Sequence, residues 1–163
     1  MITLGRIDSH LPSTTFCWLP PDSVTAGVST EGALMFRLRR CSSATFCSRL
    51  PMKDGKPQFV GKVGKEFTVE QGQQCAALCL YNVLAHLRNA CGGTLDNVRQ
   101  CLRLGVFVNA PEDFTEHPKV ANGASDLMVG IFGPSGHHAR AAVGVSGLPF
   151  GVAVEVEAMF EIE

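Results

Sequence analysis

From residue 68 onward, apolar residues recur with two different periods, and each change of period marks an element. Ala76, Ala77, Leu80, Val83, Leu84 and Leu87 return at three- and four-residue spacing, which predicts one apolar helix face over Val69–Ala90. Thr68-Val-Glu-Gln71 has the form of a capping box at its start, and Gly92-Gly93 stop it. Residues 96–109 (DNVRQCLRLGVFVN) alternate in part and predict a half-buried strand. After the turn APEDF, with Asp113 or Thr115 as the cap, a second helix is expected over Pro118–Phe132. Its inward stripe would be Val120, Leu127, Met128, Ile131 and Phe132. A strand over Ala141–Val145, the connection SGLPFG and a last strand over Val152–Ile162 complete the chain. In that last strand Val152, Val154, Val156 and Ala158 face one way, while Ala153, Glu155, Glu157 and Met159 face the other.

Upstream, MKDGKP carries the hairpin dipeptide Asp54-Gly55. Residues 1–50 hold Pro12, Pro20 and Pro21 and no sustained period, with strand pieces expected at Ala33–Leu38 and Ala44–Cys47. The order of hairpin strands, helix, strand, helix, strand, strand predicts an α+β, two-layer domain with a mixed sheet and two helices on one face. A length of 163 residues fits one domain, with 1–50 as its atypical part.

Composition narrows the class. Hydrophobic residues make up 45% and charged residues 18%, which excludes an intrinsically disordered chain. The net charge of -1 gives no global footprint for nucleic acid, and together with the apolar content it points to surface hidden in an oligomer. No stretch approaches the roughly 20 apolar residues of a membrane span. Asp8 and His10 stand where a signal peptide needs its apolar region, so the cytosol is the expected location. The seven cysteines are an odd number without a compact spacing pattern and read as small buried hydrophobes. Cys75 and Cys79 have the i, i+4 spacing of two metal ligands, but no second pair joins them, so they read as buried thiols rather than a metal site.

Arg140 and Glu155 are the candidate chemical pair. Arg140 begins a strand just after the run GPSGHH, and Glu155 lies on the alternating last strand. If these strands pair through LPFG, an antiparallel register brings both to one side. A guanidinium fork then holds a carboxylate while the glutamate places a water or moves a proton. The plainer alternative is an ordinary ion pair. His137 and His138 either tune the protonation of this cleft or are simply solvated. Glu157 belongs to the cleft or, more in keeping with its place, to a surface between subunits. Arg37, Arg39, Arg40 and Arg49 form a basic cluster on which RNA binding or cleavage would have to rest, with few aromatics to stack on bases.

Residues 140–158, RAAVGVSGLPFGVAVEVEA, resemble the C-terminal signature of the Rid family, also called YjgF-like or "endoribonuclease L-PSP". GKVGKEFTVEQGQQCAALCLYNVLAHLR and DNVRQCLRLGVFVNAPEDFTEHPKVANGASDLMVGIFG are similar to the family's first helix and to the strand and helix that follow. The resemblance covers about residues 51–163 and is greatest to the longer-chain branch, through GKVG, NGASDL and His-Ala-Arg. It implies a chorismate-mutase-like α+β fold, a homotrimer with clefts between subunits, and hydrolysis of small 2-imino or 2-enamino acids to 2-keto acids and ammonia with no metal and no organic cofactor. A non-catalytic binder of a small carboxylate metabolite is the alternative. On the family pattern Arg140 clamps the substrate carboxylate and Glu155 places the water, with Ser125, or Asn122 in its stead, also at the substrate; His138, two residues before Arg140, is a further candidate there.

Three positions depart from that pattern. Ala142 stands where the deaminase branch has cysteine. Ser125 stands at the place of a substrate-contacting asparagine, with Asn122 one helical turn away. Residues 28–49 show no clear Gly-Asn-Leu strand or Ser-Gly. Back-translated one base out of frame, SSATFCS (42–48) resembles that strand, so a local reading-frame change would account for the gap, and a shifted frame of the gene that encodes no Gly-Asn-Leu strand there would exclude it.

Overall fold

Thr68 opens the first helix by reciprocal capping. Its hydroxyl accepts the Gln71 N–H at 3.3 Å, and the Gln71 side chain accepts the Thr68 N–H at 2.9 Å. Helix α1 then runs over Val69–Ala90, with the bounds its sequence predicts. Gly92 and Gly93 follow at φ 80 and 103, and the Gly93 N–H returns to the Arg88 carbonyl, satisfying a terminal acceptor. The computed structural model describes residues 24–28, 34–38 and 44–163.

The strands are β1 (Val24–Val28), β2 (Leu34–Leu38), β3 (Ala44–Arg49), β4 (Met52–Lys53), β5 (Lys56–Pro57), β6 (Val98–Asn109), β7 (Ala139–Val145) and β8 (Val154–Ile162). Helix α2 spans His117–Phe132. A six-stranded sheet has the order β1-β2-β3-β8-β6-β7, in which only β6 and β7 run parallel. That parallel pair requires a crossover, which α2 supplies. Strands β4 and β5 form the separate hairpin expected at Asp54-Gly55, both residues with positive φ as a type I′ turn demands. Strand β3 forms over residues that the sequence pattern placed only loosely, and β1 had no sequence signal. Both helices cover one face of the sheet: Val154, Val156, Ala158 and Phe160 of β8, with Leu104, Val106 and Val108 of β6, lie buried beneath them. The architecture is α+β, two helices on a mixed sheet, as expected.

Two expectations need correction. Strands β7 and β8 do not pair; β6 lies between them. The connection is not a simple hairpin, because Pro149–Gly151 forms a 3-10 turn with Phe150 left-handed at φ 57. Beyond it, the Ala153 N–H donates to the Phe59 carbonyl and the Gly61 N–H to the Gly151 carbonyl, so the chain crosses under segment 59–61 before entering β8. The second correction is the inward stripe of α2. Val120, Ala121, Ala124 and Met128 are buried, whereas Ile131 is 43% exposed and Leu127 and Phe132 lie half-buried at the margin of the core. The cause is close helix crossing: a Cβ on Gly123 would stand 2.1 Å from the Gln73 carbonyl oxygen of α1. Gly72 is less tight but still close-packed: a Cβ there would stand 3.2 Å from the Val120 and Val63 side chains. Small residues, not large ones, make this contact.

This crossing yields a paired prediction. Gly123→Ala places a methyl group against backbone that cannot turn aside, and should cost at least about 3 kcal/mol in urea unfolding. Gly130→Ala, on the same helix with nothing within 4 Å of its would-be Cβ, should instead stabilise by roughly 0.5–1 kcal/mol.

Candidate functional site

The edge strand β7 carries Arg140 opposite Leu104 of β6, on the sheet face that the helices cover. Asn122 and Ser125 lie three residues apart on α2, so they share the helix face turned toward this strand. The Arg140 Nη1 donates to Asn122 Oδ1 at 2.7 Å and to Ser125 Oγ at 3.2 Å. The guanidinium stays exposed, and its Nε and Nη2 have no partner among the described residues.

The turn between α2 and β7 brings a fourth residue in. Gly133–Gly136 forms a 3-10 turn folded back on the helix end, and a Cβ on Gly136 would lie 2.5 Å from the Met128 carbonyl oxygen. Only glycine fits there. The chain then presents His138, whose Nδ1 is 2.6 Å from the Gly136 carbonyl oxygen and whose Nε2 is 3.1 Å from Ser125 Oγ. A carbonyl can only accept, so Nδ1 carries the proton in the neutral ring. Nε2 is then a lone pair and accepts the Ser125 hydroxyl. Arg140, Asn122, Ser125 and His138 therefore form one connected network, as the sequence grouped them. His137 remains exposed, its carbonyl accepting Gln100 Nε2 at 3.4 Å.

Glu155 is not brought together with them in one subunit. It pairs with Phe107 of β6, on the face away from the helices, three residues along β6 from the partner of Arg140. Standard strand geometry puts the two Cα atoms about 14 Å apart, with the sheet between the side chains. Its carboxylate instead accepts the Ser48 hydroxyl of β3 at 2.7 Å, a partner the sequence did not disclose because the pairing of β3 with β8 is non-local. On the same open face Glu157 takes Arg103 Nη1 at 2.6 Å, and its side chain lies over Gly105, where any Cβ would collide with it. Arg39 and Arg40 lie outside the described residues, and Arg37 is described only as a backbone position in β2.

The GKVG segment is a structural clasp. The Val63 N–H donates to the Asn109 carbonyl, Gly64 adopts φ +87 with the Phe114 ring filling its Cβ position, and Lys62 Nζ reaches the Ser146 carbonyl at 3.4 Å. Cys75 and Cys79 face the core, where Cys79 Sγ donates to the Val154 carbonyl. Among the described residues no cluster of three or more metal-ligating side chains occurs. Likewise none of the helices searched among them is long and apolar enough to cross a membrane.

Residues 39–160 match the family described as "YjgF/chorismate_mutase-like, putative endoribonuclease". This chain belongs to that family. The match reaches into β3, further toward the N-terminus than the motifs alone. A Trypanosoma cruzi protein named TCP17 is 46% identical over 115 residues, which cover 70% of this chain and 71% of that protein. An Agrobacterium tumefaciens protein of unknown function has a crystal structure with TM-score 0.73 and 36% identity, covering 89% of this chain and 86% of its own. A Shewanella oneidensis protein carrying the same endoribonuclease wording gives TM-score 0.72 and 27% identity, over 94% and 92% of the two chains. Within this YjgF-like fold, Arg140 and its partners sit at β7, the last strand of the sheet among the described residues, rather than in the helical layer's interior.

The cysteines are the part of the site region with a clear protonation consequence. Burial pushes the thiols of Cys47 and Cys101 up to about 11 and raises that of Cys79 well above its ordinary value. At neutral pH these side chains are unreactive thiols. Iodoacetamide at pH 7.5 should leave all three unmodified in the native protein and modify them in guanidinium, read by mass spectrometry. Between about pH 9, where an unfolded thiol ionises, and about pH 11, only the unfolded chain loses these protons, so stability should fall through that window.

Proposed function

We propose that this protein hydrolyses small 2-imino or 2-enamino acids at a carboxylate site centred on Arg140, completed between copies of the chain. The observation that carries the reading is the half-used guanidinium. One nitrogen is held by Asn122 and Ser125 while the remaining donors face solvent, an arrangement suited to a planar, bidentate carboxylate. Holding Nη1 in advance also removes part of the roughly 2 kcal/mol of rotamer entropy that a free arginine loses on binding.

The chemistry asks little else. A protonated imine is already electrophilic, so a site that fixes its carboxylate and admits one water accelerates hydrolysis chiefly by orientation. Glu155 takes part only when the open sheet face of one copy meets the β7 edge of another, since within one protomer it lies on the opposite face. A homotrimer with inter-subunit clefts supplies that meeting. Two features of the chain favour such assembly. Strand β7 is an edge with Val143 45% exposed, and Phe150, just beyond it, is held left-handed with 71% of its surface exposed. A strained aromatic displayed to solvent is a costly arrangement unless something covers it.

The test is release of ammonia and 2-oxobutyrate from freshly generated 2-iminobutyrate. Arg140→Ala should lower kcat/KM by roughly 30- to 5,000-fold, the loss of about 2–5 kcal/mol for one partner of a desolvated charge pair, with Arg140→Lys between the two. Absence of turnover in the wild-type protein, with 2-oxobutyrate still bound through Arg140, would replace the enzyme with a non-catalytic carboxylate binder.

A further inference from the structure

We propose that Ser125 and His138 are the proton relay of the Arg140 site, Ser125 facing the reacting groups and His138 holding the proton behind it. The proposal rests on the deaminase reading above and deepens it. Three contacts carry it: Arg140 Nη1 to Ser125 Oγ at 3.2 Å, Ser125 Oγ to His138 Nε2 at 3.1 Å, and His138 Nδ1 to the Gly136 carbonyl at 2.6 Å. A hydroxyl within reach of an imidazole that a third group orients is the arrangement that activates a hydroxyl or a water. The carbonyl fixes the tautomer, so the ring nitrogen facing Ser125 is the one that accepts. The adjacent guanidinium stabilises any negative charge that develops on Oγ.

A relay at this place answers a need that Glu155 leaves open. Glu155 is occupied by Ser48 on the other sheet face, whereas Ser125 touches the very arginine that would hold the substrate. In the reaction, water attacks the iminium carbon and gives a proton to Ser125 Oγ, whose own proton passes to His138 Nε2. The carbinolamine nitrogen then takes a proton back along the same path. The C–N bond breaks with its electron pair leaving on nitrogen, the C=O bond forms, and the hydroxyl proton ends on the ammonia. The products are a 2-keto acid anion and ammonium, and the relay is restored.

Other charged and titratable groups stand around this ring. Arg140 on β7 is joined through Ser125, Asp126 follows Ser125 on α2, and His137 precedes it in the turn. Arg103 lies opposite Ala139 on β6 but is committed to Glu157 on the far face. The relay accepts a proton at the ring nitrogen that faces Ser125.

The experiment compares wild type with His138→Gln, whose carbonyl still accepts from Ser125 but which holds no proton, and with Ser125→Ala. For freshly generated 2-iminobutyrate, both should lose about 100-fold in kcat with KM nearly unchanged, and both should alter the pH profile of kcat. Unchanged kcat and an unchanged pH profile in both variants would overturn the relay and leave the deaminase reading intact. If wild-type protein shows no turnover, the deaminase reading falls and the ring nitrogens decide the relay by 15N NMR. An Nδ1–H tautomer whose Nε2 resonance moves on adding 2-oxobutyrate, and no longer does so in Ser125→Ala, supports the relay. An Nε2–H tautomer, or a resonance indifferent to both changes, overturns it.

Discussion

The approach of α2 to α1 at Gly123 is the contact on which the site depends. A helix crossing with no room for a single Cβ fixes the height of α2 above the sheet more strictly than any interdigitation of long side chains. Gln73, whose carbonyl occupies that space, also ties its side chain to the Lys119 carbonyl at 2.9 Å, so α2 is located by backbone at one point and by a hydrogen bond nearby. Asn122 and Ser125 flank the crossing point. Their distance to Arg140 is therefore set by the tightest packing contact in the helical layer, and the Arg140 network inherits its geometry from a glycine that never touches it.

The ends of α1 and the faces of β8 were legible in the sequence; strand order, the cap of α2 (Glu116, not Asp113 or Thr115) and its inward stripe were not. The bounds of α1 follow from Thr68, Gln71 and the Gly92-Gly93 pair, all within a few residues of the ends they define. The two faces of β8 follow from its strict alternation, and the structure keeps Glu155, Glu157 and Met159 on the side away from the helices. Strand order is another matter. Nothing in SGLPFG announces that β8 passes beyond β6 instead of folding back on β7. In β7 itself, Ala139 through Val145, small residues on both faces leave no alternation from which the side of Arg140 could be read. Asn122 and Ser125 were placed beside Arg140 through the family resemblance, and His138 through its nearness to Arg140 in the chain; a helical turn and a short connection are what join them in the structure. The partner of Glu155 was not, because Ser48 comes from a strand more than a hundred residues earlier.

The stripe of α2 failed for an instructive reason. Large apolar residues were expected to point inward, yet Leu127 and Phe132 are only half-buried and Ile131 is largely exposed, while alanines and glycine make the contact. Hydrophobic periodicity reports burial in proportion to side-chain size, so a helix that buries its small residues against another backbone is misread by about one helical position. NGASDL is such a segment: its small residues serve close approach, and its polar residues are left free to face the sheet edge.

Two liabilities of the fold point to one solution. The sheet is covered on one face only, leaving Phe107, Val143 and Met159 beside the paired charges of Arg103 and Glu157, and strand β7 ends the sheet with an unpaired edge among the described residues. Either feature invites association, and antiparallel sheets tolerate an open face better than they tolerate a free edge. Glu155 and Arg140 lie on these two surfaces, one on the open face and the other at the edge. If copies assemble so that the face of one meets the edge of the next, the same contact covers both surfaces and draws the carboxylate toward the guanidinium. Catalysis of this kind would then be a property of the assembly, because the sheet that separates the pair within a subunit cannot be crossed from inside.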